Sequence, residues 1–342
     1  MVRRMGSRAR STRGAVWLLF VVLAAGITPR VQAYQQYSVQ TGTNTFVPLK
    51  WNRLPVQYYI ENVAVPGVSV SQLQGAVDRA FTTWHNVPTA GVSAQFVAYT
   101  SAQPFQDDGR VVIGFLNEPD QEDVLGATDY LIDDRTGEIV ESDIFFNSSY
   151  PWSVAESGEA GHFDLEAIAL HEIGHLWGLG HSALGETQQL SGGRRVLASG
   201  AVMFPIAFSP QNVKLRVLQP DDIAGISDLY PASGFNVETG TVSGQVTKSG
   251  KPVFGAHVVA FSPTSGAMIG NFTDENGNFA IAGVAPGLVT VRVEPVDDAD
   301  LDSFFDDPSQ VDLNFKITYY NRLAVVPAGG SSERLQIQVT PK

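Results

Sequence analysis

Apolar residues recur at helical spacing in the segment that begins near Ser71. The positions that share this spacing are Leu73, Ala76, Val77, Ala80, Phe81 and Trp84. Residues three and four apart lie on one face of a helix, so the pattern predicts an amphipathic helix with one buried side. Ser69 or Ser71 can cap its N-terminus, and Pro88 follows its end.

The rest of the first 230 residues alternates between strand-like and helix-like segments. The predicted strands cover residues 55–63, 92–100 and 110–116, and a predicted hairpin pairs Ala127–Ile132 with Glu138–Phe146 across an Asp-Arg-Thr-Gly turn. The predicted helices cover 163–178, with Asp164 as N-cap and Gly178 as terminator, and 219–230. This arrangement predicts an α+β domain.

A change of pattern at residues 231–240 predicts a linker. Beyond it, short alternating segments are separated by Gly, Pro and Asn, which is typical of a small all-β sandwich. We therefore divide the chain into 50–230, the first domain, 231–240, the linker, and 241–342, the β-sandwich.

The N-terminal segment has the features of a secretory signal. Five arginines precede the apolar run Ala15–Ile27, and small or modest residues end the segment at Ala33. We interpret residues 1–33 as a signal peptide and 34–49 as an extended lead-in; a retained N-terminal anchor is the alternative. The expected location is extracellular, or periplasmic in a Gram-negative bacterium.

The charge of the chain limits the classes of partner, and the absence of cysteine limits the sources of its stability. The chain has 22 basic and 35 acidic residues, and six of the basic ones lie within residues 1–33. So acidic a surface argues against nucleic acid and anionic membranes as partners, and we expect no stable membrane insertion. The chain has no cysteine, so its stability must come from its core or from a bound metal rather than from disulfides.

Half of the six histidines lie in one short stretch, HEIGHLWGLGH, residues 171–181. On a helix His171 and His175 project from one face, a turn apart, and Glu172 borders that face. Gly178 lets the chain turn back, so His181 can supply a third nitrogen. Three neutral imidazoles with one open position are typical of a catalytic zinc site rather than a structural one.

This stretch resembles the metzincin zinc-peptidase motif. Metzincins also carry a methionine in a tight turn beneath the metal, and SGAVMFP looks like that turn, with Met203 as the methionine. Ser182 after the third histidine and the segment DDIAGISDLY resemble the matrixin branch. The resemblance implies a mixed twisted sheet with one helix at the active site. It also implies one catalytic Zn²⁺ on His171, His175 and His181, and Glu172 as the general base of peptide hydrolysis.

The resemblance is incomplete around the zinc motif. The distance from His181 to Met203 is 22 residues, longer than matrixins generally use, which predicts an inserted loop beside the cleft, with a mobile rim. No His-Gly-Asp segment is present to hold a second, structural zinc.

The C-terminal segment from Thr241 to Pro295 resembles the regulatory β-sandwich of carboxypeptidases. The resemblance implies that this domain positions the protein or attaches it to a surface or matrix ligand. The alternative is a domain that serves only as a folding partner. In the acidic stretch after it, Asp298, Asp300 and Asp302 alternate as calcium ligands can, but Ser303 and Ser309 stand where an EF-hand loop needs Gly and Glu. Ca²⁺ is the weaker interpretation, and a solvated acidic loop is favoured.

The function expected from these features is a secreted zinc-dependent endopeptidase acting on protein or peptide substrates. Two alternatives stay open. One is an adhesive or matrix-binding protein with a non-catalytic metzincin scaffold, and the other is a peptidase of another metzincin branch.

Overall fold

The computed structural model describes residues 2–5, 36–42, 45–121, 124–190, 193–207, 212–296 and 298–342. Most of the predicted signal segment, 1–33, lies outside these residues. The exception is Val2–Met5, a strand (β1) that pairs antiparallel with Tyr130–Asp133. In the part of the chain that is described, no helix is both long and apolar enough to span a bilayer.

Short strands and three longer helices make up the first part of the chain. The strands are β2 (Ser38–Gly42), β3 (Thr45–Pro48), β4 (Val56–Glu61), β5 (Ala94–Thr100), β6 (Val111–Leu116), β7 (Gly126–Thr128), β8 (Tyr130–Asp133), β9 (Ile139–Glu141), β10 (Ile144–Asn147), β11 (Trp152–Ser153), β12 (Phe163–Asp164), β13 (Gly185–Leu190) and β14 (Gly193–Ser199). The helices are α1 (Val70–His85), α2 (Leu165–Leu176) and α3 (Pro220–Leu229), followed by the single turn α4 (Phe235–Glu238).

A five-stranded mixed sheet supports the two longest helices. Its order is β5-β4-β6-β10-β7; β4, β5, β6 and β10 pair in parallel, and β7 is an antiparallel edge strand. The helix predicted from Ser71 begins at Val70, and the Ser69 side chain forms a capping box with Gln72. All six apolar positions predicted to face the core are buried. The α+β fold class is confirmed.

Helix α2 is buried on all sides. Every residue from Leu165 to Leu176 is buried, and the Asp164 side chain accepts a hydrogen bond from the backbone N–H of Ala167 at the N-terminus. Asp164 also pairs with Arg216. A helix surrounded by protein is expected to be apolar nearly everywhere. Its charged or polar exceptions are Glu166, which pairs with Arg79, and the residues of the motif, His171, Glu172 and His175.

Three predicted segments differ from the structure in their details. The hairpin of residues 127–146 forms, but it splits: β8 pairs with β9, while β7 and β10 join the main sheet. The predicted inserted loop between His181 and Met203 is an antiparallel hairpin of β13 and β14 rather than an irregular loop. The lead-in is also a hairpin, β2 with β3.

The C-terminal part is a β-sandwich, as expected. Its strands are β15 (Gly240–Lys248), β16 (Lys251–Pro252), β17 (His257–Phe261), β18 (Met268–Phe272), β19 (Asn278–Val284), β20 (Gly287–Glu294), β21 (Thr318–Tyr319), β22 (Ala324–Val326) and β23 (Leu335–Val339). One sheet is built on β15 with β16, β19 and β23, and the other has the order β18-β17-β20-β21, with β22 on β20. Short 3-10 helices cover Asp298–Ser303 and Pro308–Gln310.

The sandwich packs directly against α3. Ala224 of α3 belongs to the same buried cluster as the sandwich core, and it lies so close to Gly283 that a Cβ at Gly283 would approach it to 2.7 Å. Gly283 has φ +71°, a conformation that glycine adopts without strain. The two parts of the chain therefore share an interface that borders the site described next.

Candidate metal centre

Helix α2 and the turn after it bring three histidines together. His171 and His175 lie one turn apart, and the chain turns back at Gly178, whose φ is +100°. A Cβ at position 178 would overlap the backbone carbonyl oxygen of Leu49, so the turn requires glycine for space as well as for conformation. The ring centroids are separated by 4.7 Å for His171–His175, 4.8 Å for His175–His181 and 5.4 Å for His171–His181.

One nitrogen of each ring can bind the same ion. Within the described residues, this is the one group of three or more histidine or acidic side chains that could hold a metal, and its ligand atoms all lie within 4.8 Å of one another. The three side chains are 1–2% exposed. The predicted ligand set is therefore assembled in one buried place.

The Nδ1 atoms of the three rings each contact a backbone carbonyl oxygen. The partners are Val202 at 2.7 Å from His171, Leu179 at 2.8 Å from His175 and Ser303 at 3.0 Å from His181. A carbonyl oxygen can only accept, so Nδ1 must carry the proton. This leaves the Nε2 lone pair of each ring for a metal, the arrangement found around metal-binding histidines.

The donor set fits zinc. The Nε2 atoms of His171 and His181 are buried and have no hydrogen-bond partner in the structure, which is costly unless something binds there. Burial, with a further contribution from the charge of His181, lowers the pKa of His171 to about 3, and burial lowers that of His181 to about 4. Burial likewise holds the pKa of His175 well below its usual value. Neutral imidazoles are the ligand form that zinc requires.

The side chain of Glu172, a residue of α2, packs against the edge strand β7. Its side chain is 1% exposed, and the Thr128 hydroxyl donates a hydrogen bond to its Oε2 at 2.8 Å. Gly126 packs so closely that a Cβ there would lie 3.3 Å from Oε1. Burial raises the pKa of Glu172 to about 8, although the Thr128 hydrogen bond acts in the opposite direction. The carboxyl group is thus held in one orientation and can take up a proton near neutral pH.

Met203, the methionine of the predicted turn, packs against α2. It is 2% exposed, and a Cβ at Gly174, the residue before His175, would overlap its sulfur. Asp222 fixes the turn, because its carboxylate accepts the backbone N–H groups of Val202 at 2.8 Å and Met203 at 3.0 Å. Val202 in turn provides the carbonyl that orients His171.

The remaining three histidines are not part of the group of possible metal ligands. The Nδ1 of His85 contacts the carbonyl of Val92, His162 lies beside Glu159, and His257 contacts Glu294. Trp177 packs in the core between Phe81 and Tyr230.

The predicted calcium ligands Asp298, Asp300 and Asp302 lie on the 3-10 helix Asp298–Ser303. The side chains of Asp298 and Asp300 are outside the part of the chain that the structure describes.

Sequence reasoning missed four residues that contact the site. Thr128 orients Glu172, Asp222 fixes the methionine turn and Ser303 contacts His181. Tyr37, from the lead-in, lies against His175 with ring centroids 5.8 Å apart. Asp222 belongs to the DDIAGISDLY segment and could have been found there; nothing local marks the others, because each is defined by its neighbours in space.

In the metal-free protein, the contribution of the buried histidines to stability should be lost as the pH falls from 7 to 5, while the raised pKa values of Glu172 and Asp221 act in the opposite direction. His171 and His181 stay neutral in the folded state, while their pKa values in the unfolded chain are near 6.5. At these two histidines the unfolded state therefore binds more protons between about pH 4 and 6.5, and their contribution to stability is lost as the pH falls through that window. Relative to chelator-treated wild type, chelator-treated His171→Asn should gain about 1.4 kcal/mol of stability per unit fall in pH, measured by urea titration at each pH. Equal slopes for the two proteins would contradict this.

Replacing Asp222 with Asn should destabilise the protein. Asn has one acceptor oxygen where Asp has two, and its NH₂ group would face a backbone N–H. At least one buried donor would therefore lose its acceptor, at a cost of about 1–3 kcal/mol. Urea unfolding measures the change. Asp228→Asn on the same helix is the matched control, since its carboxylate accepts from a side-chain amide of Gln36 and Asn keeps an acceptor oxygen. A loss no larger than that of the control would show that Asp222 does not hold the turn.

Two family models match the chain. Matrixin (Peptidase_M10) matches residues 50–231, and the carboxypeptidase regulatory-like domain matches residues 241–299. Among solved structures, the major pilin subunit of Bacillus cereus covers 30% of this chain and 30% of its own at 13% identity and a TM-score of 0.21, which is too low to support an argument.

Relatives with known names include animal, plant and bacterial proteins. Matrix metalloproteinase-16 of Rattus norvegicus is 26% identical over 160 residues, 46% of this chain and 26% of the relative. Metalloendoproteinase 1 of Glycine max is 28% identical over 46% of this chain and 45% of the relative. Karilysin of Tannerella forsythia is 28% identical over 196 residues, 56% of this chain and 35% of the relative. The chain thus spans about a quarter to a half of the length of these relatives.

Because the family model covers more than half of the chain, including the three histidines, Glu172 and Met203, the protein belongs to the matrixin family and carries a carboxypeptidase-regulatory-like β-sandwich after its matrixin domain.

Proposed function

We propose that this protein is a secreted zinc-dependent endopeptidase in which His171, His175 and His181 hold the metal and Glu172 is the general base. The observation that carries the proposal is the buried cluster of three neutral imidazoles whose possible ligand atoms lie within 4.8 Å of one another, each with Nδ1 hydrogen-bonded to a backbone carbonyl. Membership of the matrixin family supports the same activity.

When bound, zinc would acidify a water molecule and polarise the scissile carbonyl. The protein's own groups then handle the proton. Thr128 holds Oε2 of Glu172, which leaves Oε1 to take the proton of the attacking water and return it to the leaving amine. A pKa raised by burial makes the protonated carboxyl group stable enough to hold that proton between the two steps.

Membership of the matrixin family favours protein or peptide chains as substrates. Glu172 packs against the edge strand β7 through Gly126 and Thr128, and all three residues of this strand are buried.

Secretion rests on the N-terminal sequence, with five arginines before an apolar run and Ala33 at its end. The absence of cysteine from the chain is compatible with export, because a metal on the three histidines can supply stability that disulfides would otherwise provide.

Glu172→Gln should abolish peptide hydrolysis while leaving fold and metal content unchanged. The amide cannot take a proton from water, and loss of a general base lowers turnover by about 10²–10⁴. Casein cleavage, measured with zinc content and thermal unfolding, tests this, and Glu186→Gln, on the exposed hairpin, is the control. If the variant kept more than a few per cent of wild-type turnover, another base would have to act. No cleavage by metal-replete wild type would favour a non-catalytic scaffold.

His175→Ala should lose the metal. Two of three ligands remain, so zinc no longer stabilises the native state, and the difference in Tm between zinc-treated and chelator-treated protein should disappear. Elemental analysis and thermal unfolding measure both effects. His162→Ala, which removes an imidazole outside the cluster, should behave like wild type. Unchanged zinc content in His175→Ala would remove this residue from the ligand set.

A further inference from the structure

The ring of His181 differs from the other two in where its hydrogen-bond partner comes from. His171 and His175 contact carbonyls of Val202 and Leu179, both within the segment that matches the matrixin family. His181 contacts the carbonyl of Ser303, 122 positions further along the chain and beyond the matrixin segment. Its orientation therefore depends on a different part of the molecule.

We propose that the β-sandwich completes the metal centre, with the backbone carbonyl of Ser303 as the positioning group for His181. This inference rests on the proposed function only in taking the three histidines as the zinc ligands. The sandwich is then a structural part of the site, and its role is not limited to holding an external partner.

Two aromatic side chains fix the segment that carries Ser303. Phe304 and Phe305, which we call the aromatic anchor, are 5% and 6% exposed. Their rings lie 5.4 Å and 4.9 Å from the ring of Phe272 on β18. Ala183, two residues after His181, packs against the same cluster. The acidic segment was predicted to be a solvated loop, and its described aspartates, Asp302, Asp306 and Asp307, are exposed. Its aromatic residues are buried and pack against the chain that follows the third ligand.

A second contact ties the other side of the same turn to the sandwich. Asp221 is buried, and its carboxylate accepts the Ser182 hydroxyl at 2.6 Å and the backbone N–H of Gly270 at 2.8 Å. Ser182 directly follows His181, and Gly270 lies on β18. Leu184 adds an apolar contact, in a cluster with Ala201 and Val259 of β17. The turn that carries His181 is thus held by β17, β18 and the Ser303 segment.

The hydrogen bond has a defined consequence for metal binding. By accepting the Nδ1 proton, the Ser303 carbonyl fixes the tautomer in which Nε2 is the free donor, and it fixes the plane of the ring. Loss of such an outer partner commonly lowers metal affinity 10–100-fold. We expect the same loss of metal affinity when the aromatic anchor no longer holds the Ser303 carbonyl in place.

The test uses the full chain with Phe304→Ala. We expect zinc affinity, measured by competition with a chromophoric chelator, to fall at least tenfold, and the visible absorption spectrum of the Co²⁺-loaded protein to change. Phe279→Ala is the matched control, because Phe279 is 3% exposed in the sandwich core and lies outside the cluster of the anchor. It should leave both readouts unchanged. Phe304→Leu should restore most of the affinity.

A measurement on the wild-type protein tests the proposal even if the Phe304→Ala variant misfolds. In ¹⁵N-labelled, metal-free wild type, with the His181 signal assigned by its loss in His181→Asn, Nδ1 should carry the proton. A proton on Nε2 would overturn the proposal.

The remaining outcomes separate this inference from the proposed function. Wild-type zinc affinity and an unchanged Co²⁺ spectrum in Phe304→Ala would overturn it, and a rise in turnover there would show that the segment covers the cleft instead. If wild type binds zinc but cleaves no peptide, the proposed activity fails while the positioning role stands on the affinity data. If wild type binds no zinc, both fail.

Discussion

The site depends on three hydrogen bonds between imidazole Nδ1 atoms and backbone carbonyls. These bonds decide which nitrogen of each ring carries the proton, and burial of the rings keeps them neutral. A buried lone pair without a partner is unfavourable, so the same arrangement that prepares the site for a metal also makes the metal-free state costly. Stability and metal binding are therefore linked in this protein.

Each carbonyl comes from a different structural element, and each element is held by its own contacts. Leu179 follows the turn at Gly178, which requires a residue without a side chain. Val202 belongs to the methionine turn, which Asp222 of α3 fixes through two backbone N–H groups. Ser303 belongs to a segment seated by the aromatic anchor. Helix α2 supplies two ligands, but the orientation of the rings comes from the chain around it.

The interface between the two parts of the chain gives the β-sandwich a direct effect on the site. Asp221 and Asp222 are neighbours on α3 with different tasks: the first joins the turn after His181 to β18, and the second holds the methionine turn. Both are buried, and burial raises the pKa of Asp221 to about 7 and of Asp222 to about 6. Helix α3 thus connects the metal centre to the sandwich over a short distance.

The sequence alone determined the fold class, the helices and the metal motif. Helix α1 followed from six apolar residues at helical spacing, and the ligands followed from the spacing of His171, His175 and His181 with Gly178 between them, because both signals are local. Only the tertiary structure identified Thr128, Tyr37 and Ser303, and only it showed that the aromatic residues beside the exposed aspartates of the acidic segment are packed. Contacts between residues 44 and 122 positions apart leave no periodic pattern in the chain. They arise when β7 and the sandwich pack around the same helix and turn.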